Sequence, residues 1–201
     1  TPVERLEPAA HRVILADGRA LPYDQLFLAL GSHPFVPPLP GAALDGVFTL
    51  RTAADADRIL ARATRPGARC LLIGGGILGI ETAGALARRH ADVAMLESHG
   101  WLMPRQLNPT AAAVLERHMA SLGVRVIKEA RTQEILGPDR VTGLRLQDGR
   151  VLPADLVILA TGVRPNTALA RKAGLEVNTG ILVDRHLRTS DPDIYAAGDV
   201  A

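Results

Sequence analysis

Apolar residues fall in short runs separated by turn residues, and only a few stretches carry the spacing of an amphipathic helix. Val13-Ile14-Leu15, the tight-turn signal Asp17-Gly18 and the segment from Leu21 to Tyr23 predict two strands and a turn. The apolar run Leu26 to Leu30 follows and closes at Gly31. Pro34 to Gly41 holds too many prolines for a helix or a central strand, so it reads as an extended connection between structural units. Thr52 with Asp55 gives a capping-box-like helix start, with Ile59 and Leu60 on its buried face.

Cys70-Leu71-Leu72-Ile73 predicts a buried strand that runs into Gly74-Gly75-Gly76 and then a helix over 77–90. Val93 to Leu96 is the next strand, closed by Glu97. Asn108 as N-cap and Pro109 at the first helical position start another helix, which carries Val114, Leu115, Met119 and Leu122 and stops at Gly123. Val124 to Ile127 is a third strand. From Glu134 to Ala160 short strands broken at Gly137-Pro138-Asp139 and Asp148-Gly149 predict a three-stranded meander. The tail reads as a short helix near 167–172, a strand at Ile181-Leu182-Val183 and a final segment, Ile194 to Asp199.

Composition narrows the function classes. The 201 residues are 47% hydrophobic and 22% charged, which suits a folded soluble protein and excludes disorder. No stretch is apolar for the ~20 residues a membrane helix needs, and no signal peptide is visible, so a soluble, cytoplasmic protein with no membrane partner is expected. A net charge of +2 and 3% aromatics give no reason to expect nucleic acid as a partner. Cys70, the only cysteine, excludes an internal disulfide or a cysteine zinc site within these residues and reads as core. The histidines 11, 33, 99, 118 and 186 show no metal-ligand spacing. Arg88-Arg89-His90 reads as a solvated helix terminus.

Gly74-x-Gly76-x-x-Gly79 stands where a dinucleotide loop belongs, after a strand and opening a helix. The first glycine permits a tight turn, the second lets backbone approach a pyrophosphate, and the third brings helix against strand. The freed N–H groups and the helix dipole then face the phosphates. Glu97 ends the next strand roughly twenty residues on, where a carboxylate bonds adenosine ribose hydroxyls and repels a 2′-phosphate, favouring NAD over NADP. A methyltransferase binding an adenosyl cofactor would share these elements. Glu81, two residues past the loop, either complements the helix dipole or meets the nicotinamide end. Gly84, inside the helix, reads as a point of close packing.

Three ordered motifs carry a family resemblance. Gly74 to Glu81, then Ala160-Thr161-Gly162-Val163-Arg164-Pro165-Asn166, then Thr189 to Asp199 resemble the pyridine nucleotide–disulfide oxidoreductase-like reductases, which bind both FAD and NAD(P). Leu28 to Ser32, with Pro34 and Pro40-Gly41, is similar to the end of that family's first FAD segment. The resemblance implies an α/β fold: a Rossmann-like NAD-binding domain over 46–164, with parallel sheet and meander, flanked by partial FAD-binding segments over 1–45 and 165–201. It further implies an internal fragment lacking the family's first glycine loop and its C-terminal interface domain.

The implied cofactor contacts are Gly74, Gly76, Ile77, Leu78, Gly79, Glu81, Glu97, Gly162, Gly198 and Asp199, with Asp199 on the ribityl–phosphate side of FAD and Gly162 closing over NAD. No catalytic side chain and no metal are implied, because hydride transfer between nicotinamide and flavin rests on proximity and orientation. The segment Trp101 to Pro109 resembles that of assimilatory NADH-dependent nitrite reductases, with Asn108 where an aspartate is usual; rubredoxin- and ferredoxin-reductase-like enzymes share the other motifs. The expected function is therefore the NADH-binding part of an FAD-dependent reductase that passes electrons to a downstream redox domain or protein. The alternative is an NAD-binding regulatory module. A fragment alone is expected to be inactive and to pair with a copy of itself.

Overall fold

The computed structural model describes residues 1–201. The elements divide between two units, Thr1–His33 with Val163–Ala201, and Pro34–Gly162. Strands β1 (Val3–Glu7), β2 (Arg12–Leu15) and β3 (Ala20–Pro22) form an antiparallel sheet. Gly18, at φ +84°, makes the β2–β3 turn. The short strands β4 (Leu26–Leu28) and β5 (Ser32–Pro34) follow.

Within the larger unit come β6 (Val47–Thr49), α1 (Ala53–Ala63), β7 (Arg69–Ile73), α2 (Ile77–Ala87), β8 (Asp92–Leu96), α3 (Pro109–Ser121) and β9 (Arg125–Ile127). β10 (Thr132–Leu136), β11 (Gly143–Leu146) and β12 (Val151–Pro153) form the antiparallel meander, and β13 (Leu156–Leu159) ends the unit. The smaller unit resumes with β14 (Val163–Pro165), α4 (Ala168–Lys172) and β15 (Ile194–Ala196). β14 pairs with β5, and β15 lies parallel to β4.

The sheet order β6-β13-β7-β8-β9 is parallel throughout. Its strands are apolar on both faces because both faces are covered. In β7, Cys70 and Leu72 point to the side packed by Ile59, Leu86 and Met119 of the helices. Leu71 and Ile73, one residue out of phase, point to the side packed by Ile135, Leu144 and Leu146 of the meander. The result is three layers: helices, parallel sheet, meander.

Capping places the helices. Thr52 Oγ1 accepts from the Asp55 N–H at 3.2 Å, and the Asp55 carboxylate accepts from the Thr52 N–H at 2.9 Å. The Thr52 backbone and side chain and the Arg58 guanidinium hold the Asp55 carboxyl at about 2. Asn108 Oδ1 accepts from the Ala111 N–H at 2.9 Å, with Pro109 at the first helical position.

Several expectations need correction. β1 was not predicted. The Pro34 to Gly41 segment does stand where the chain passes from one unit to the other, and it is anchored within the larger unit, where Pro40 C=O accepts from the Ile135 N–H at 2.9 Å. Leu156–Leu159 leaves the meander and pairs in parallel with both β6 and β7. Helix α2 stops at Ala87, three residues early, and His90 sits at φ +62°. Val114 is exposed, since Ala112 and Met119 are the buried positions of α3. Ile181–Val183 is not a strand; Ile181 makes one bridge to Val177 and is buried, while Leu182 is exposed.

Candidate nucleotide-binding site

The larger unit has its order reversal at β7. The chain runs from β7 outward through β8 to β9, then returns to place β13 on the other side of β7. Such a reversal leaves a crevice at the carboxyl ends of the two strands, where open α/β sheets bind ligands. The loops that follow β7 and β13, Gly74–Gly76 and Ala160–Gly162, stand at that edge.

The glycines are required by their contacts. Gly74 has φ +116°, and a Cβ there would lie 2.4 Å from the Ala160 carbonyl oxygen. A Cβ on Gly79 would lie 2.0 Å from the Gly74 carbonyl oxygen, so α2 crosses β7 in backbone contact. Gly76 differs: its backbone is ordinary, at φ −82° and ψ −179°, and a Cβ would meet nothing within 4 Å. It is the N-cap of α2, and no side chain accepts from the first-turn N–H groups. Helix starts often carry a capping oxygen, and here the first-turn N–H groups have no side-chain acceptor. Ile77 and Leu78, in the same first turn, are 59% and 41% exposed, which leaves apolar surface at the loop rim.

Glu97 follows β8 and is only 6% exposed. Its Oε2 accepts from the Gly75 N–H at 2.9 Å. Its Oε1 accepts from the His99 N–H at 2.8 Å, from His99 Nδ1 at 2.9 Å and from Ser98 Oγ at 3.2 Å. Burial raises the carboxyl pKa; the hydrogen bonds from His99, Gly75 and Ser98 outweigh it, and the group sits below the usual carboxylate range. Glu97 is therefore an ionised side chain tied to the glycine loop as well as a group at the end of a strand. Sequence spacing located it but not its bond to Gly75.

The segment after Glu97 braces the same loop. Leu102 is fully buried beneath Gly75, where a Cβ would lie 2.6 Å from Leu102 Cδ2. The Met103 N–H donates to the Gly75 carbonyl at 2.9 Å, and Trp101 Nε1 donates to the Leu107 carbonyl at 2.9 Å. Glu81 is exposed and lies in the second turn of α2, not the first, so the helix-dipole role expected of it is weak. Gly84 is buried, with a Cβ position 3.5 Å from Leu122 at the end of α3. Gly162, at φ +104°, is exposed, and the Thr161 hydroxyl beside it donates to the Phe35 carbonyl at 2.7 Å. Cys70 is buried, and burial, with the Asp92 charge adding, pushes its thiol up to about 12, so it is core.

Gly198 and Asp199 belong to the smaller unit, just after β15. Gly198 is at φ +81° with open space at its Cβ position. Asp199 Oδ2 accepts from Ser32 Oγ at 2.8 Å, and Ser32 is 6% exposed. Ser32 is the side chain that the reading of single motifs left without a role. Its partner lies 167 residues away, and only the pairing of β15 with β4 brings them together.

No helix is long and apolar enough to cross a membrane. The family model described as pyridine nucleotide-disulphide oxidoreductase matches residues 1–201. The chain is 42% identical to the nitrite reductase [NAD(P)H] of Bacillus subtilis over 95% of its own length and 24% of that protein's. It is 41% identical to the nitrite reductase [NAD(P)H] large subunit of Klebsiella oxytoca, over 99% of this chain and 21% of that one. Among solved structures it superposes on putidaredoxin reductase, in the covalent complex with putidaredoxin, with a TM-score of 0.92, 35% identity and coverage of 99% of this chain and 49% of that one. The chain thus spans about a quarter of either nitrite reductase and about half of the solved reductase. An α/β unit with a glycine loop at its sheet reversal, full-length agreement with the family model and a fold shared with a solved reductase lead to one assignment: this chain belongs to the pyridine nucleotide-disulphide oxidoreductase family.

Proposed function

We propose that this chain is the NADH-binding part of an FAD-dependent oxidoreductase, in which hydride passes from NADH to FAD and electrons continue to a second redox centre. The observation that carries the reading is the start of α2, where an open glycine cap without a side-chain acceptor stands beside the buried carboxylate of Glu97. In this reading the N–H groups of Gly76, Ile77, Leu78 and Gly79 bind the pyrophosphate, and Gly74 holds the turn. Glu97 takes the adenosine ribose hydroxyls. A carboxylate offers about four acceptor positions, and Oε2 uses one on Gly75, which leaves Oε2 able to accept from the ribose. That negative charge favours NADH over NADPH. Glu81 and Gly162 stand toward the nicotinamide end.

On the flavin side, Asp199 and Gly198 bind the ribityl–phosphate portion of FAD. Flavin, when bound, accepts a hydride and releases electrons onward. The protein's own part is to bind, orient and exclude water, with no acid or base needed for the transfer. The similarity to nitrite reductases favours nitrite as the terminal acceptor of the whole protein, reached through a downstream redox domain or protein. We place the protein in the cytoplasm, where its buried, unpaired Cys70 stays reduced, and expect the domain limits 1–45, 46–164 and 165–201 to mark the FAD, NAD and FAD segments. A homodimer is expected. The regulatory alternative draws no support from membership of an oxidoreductase family and is not retained.

The test is the visible spectrum of the whole protein, recorded anaerobically before and after NADH. A flavin band that bleaches is the expected result, and extra haem-like bands would assign the nitrite branch. A colourless protein, or a flavin indifferent to NADH, would overturn the reading.

Ser32 supplies a second test. Its hydroxyl fixes one oxygen of Asp199, and a hydrogen bond to a charged group contributes about 1.5–3 kcal/mol. Ser32→Ala is expected to weaken FAD binding to the apoprotein about tenfold, with Ser32→Thr restoring it. Equal FAD dissociation constants for wild type and Ser32→Ala would remove Ser32 from the site.

A further inference from the structure

Gly75 stands at the one position of Gly74-x-Gly76 that the pattern leaves free to vary, yet it is glycine. Its backbone does not require this. Unlike Gly74, it has no positive φ, so a side chain there would meet no conformational strain. Its neighbours do require it. Gly75 is buried, and an added Cβ would lie 2.7 Å from Glu97 Oε2, 3.2 Å from Glu97 Cβ and 2.6 Å from Leu102 Cδ2. Below 3.0 Å something must shift.

The three partners do not yield equally. The Leu102 methyl ends an apolar side chain in the core, and by rotating it relieves only its own contact. The loop itself is tied down: the Gly75 carbonyl accepts from the Met103 N–H at 2.9 Å, and the Gly74 N–H donates to the Leu96 carbonyl at 2.9 Å. The contact with Oε2 is therefore relieved by displacing the Glu97 carboxylate. That group is anchored through Oε1, which accepts from the His99 N–H at 2.8 Å and from Ser98 Oγ at 3.2 Å. Displacement breaks the 2.9 Å bond from the Gly75 N–H to Oε2 and turns that oxygen out of its place.

We infer, on the reading that Glu97 faces the adenosine ribose, that Gly75 is a positioning residue that sets selectivity between the two dinucleotides: the side chain it lacks is the space that seats the Glu97 carboxylate. Glutamate reaches the loop N–H only past a bare Cα. Aspartate, one methylene shorter, would stop short of that N–H and leave room for a methyl group. The cost of a Cβ at position 75 thus depends on which acid stands at position 97, and substitutions at the two positions are coupled.

The experiment titrates 5′-ADP and 2′,5′-ADP into the whole flavin-loaded protein by calorimetry, with thermal unfolding in parallel. Gly75→Ala is expected to weaken 5′-ADP about tenfold, the effect of misplacing one charged acceptor, and to lower its preference over 2′,5′-ADP. In the Glu97→Asp background the same substitution is expected to cost about threefold or less. Leu102→Val withdraws the methyl that the Cβ would strike and leaves Glu97 as it is. In that background Gly75→Ala is expected to lower the unfolding temperature less than in wild type, with the preference reduced as much. Recovery of the preference with Leu102→Val, additive costs with Glu97→Asp, or a preference that Gly75→Ala leaves unchanged overturns the proposal and leaves the nucleotide site standing. If Gly75→Ala alone does not fold, a folded Gly75→Ala/Glu97→Asp protein supports the proposal and an unfolded one overturns it. A wild type that binds neither nucleotide overturns the nucleotide reading itself.

Discussion

Gly76→Ala is expected to leave the fold untouched and to weaken NADH binding at least about tenfold, the loss that follows from about 1.4 kcal/mol. The contrast with Gly74→Ala gives the experiment its force. At Gly76 the backbone is one that any residue adopts, and an added Cβ meets nothing within 4 Å, so unfolding temperature should not move. Only a ligand lying against that backbone would notice the methyl group. At Gly74 the added Cβ would stand 2.4 Å from the Ala160 carbonyl, at a φ of +116° that side chains rarely adopt. The backbone conformation alone costs about 1–3 kcal/mol, and the collision forces the ends of β7 and β13 apart. Gly74→Ala should therefore lose both stability, several degrees in unfolding temperature, and essentially all NADH binding. Wild-type NADH affinity in Gly76→Ala would mean that no nucleotide approaches the loop.

Local sequence signals described the elements well and the contacts between them poorly. Thr52 with Asp55, and Asn108 with Pro109, place two helix starts correctly because a cap is satisfied within three residues of itself. The glycine loop was legible for a similar reason: its spacing states where backbone must come close. Ile181-Leu182-Val183 misled, since three apolar residues look the same in a strand and in a coil whose first residue alone reaches the core. β1 went unseen because Val3–Glu7 is mostly exposed and polar, and is a strand only through its partner β2. Leu156–Leu159 reads as one more meander strand until the sheet order places it between β6 and β7. The same limit applies at the site. Ser32 and Asp199 are 167 residues apart, and Leu102 looks like a surface-loop residue until the chain folds it under Gly75. Glu97 was found by its distance from the loop, but its hold on Gly75 and His99 is a fact of packing.

Glu97→Ala is the other large expected effect, and it should separate into two parts. The structural part comes from the Gly75 N–H, which loses its acceptor at a buried position, at a cost of about 1–3 kcal/mol visible as a lower unfolding temperature without ligand. The recognition part comes from the ribose. Losing a charged acceptor should weaken NADH about tenfold or more, while NADPH, no longer repelled, should weaken less or even improve. Discrimination between the two should therefore fall, by less than the NADH loss where NADPH also weakens and by more than it where NADPH improves. Glu97→Gln keeps an oxygen able to accept from Gly75 but lacks the charge, so it should retain most stability and still lose discrimination. Titrations of both nucleotides against wild type and the two variants, with thermal unfolding run in parallel, distinguish the parts. Unchanged selectivity in Glu97→Gln would leave Glu97 as a brace for the loop alone.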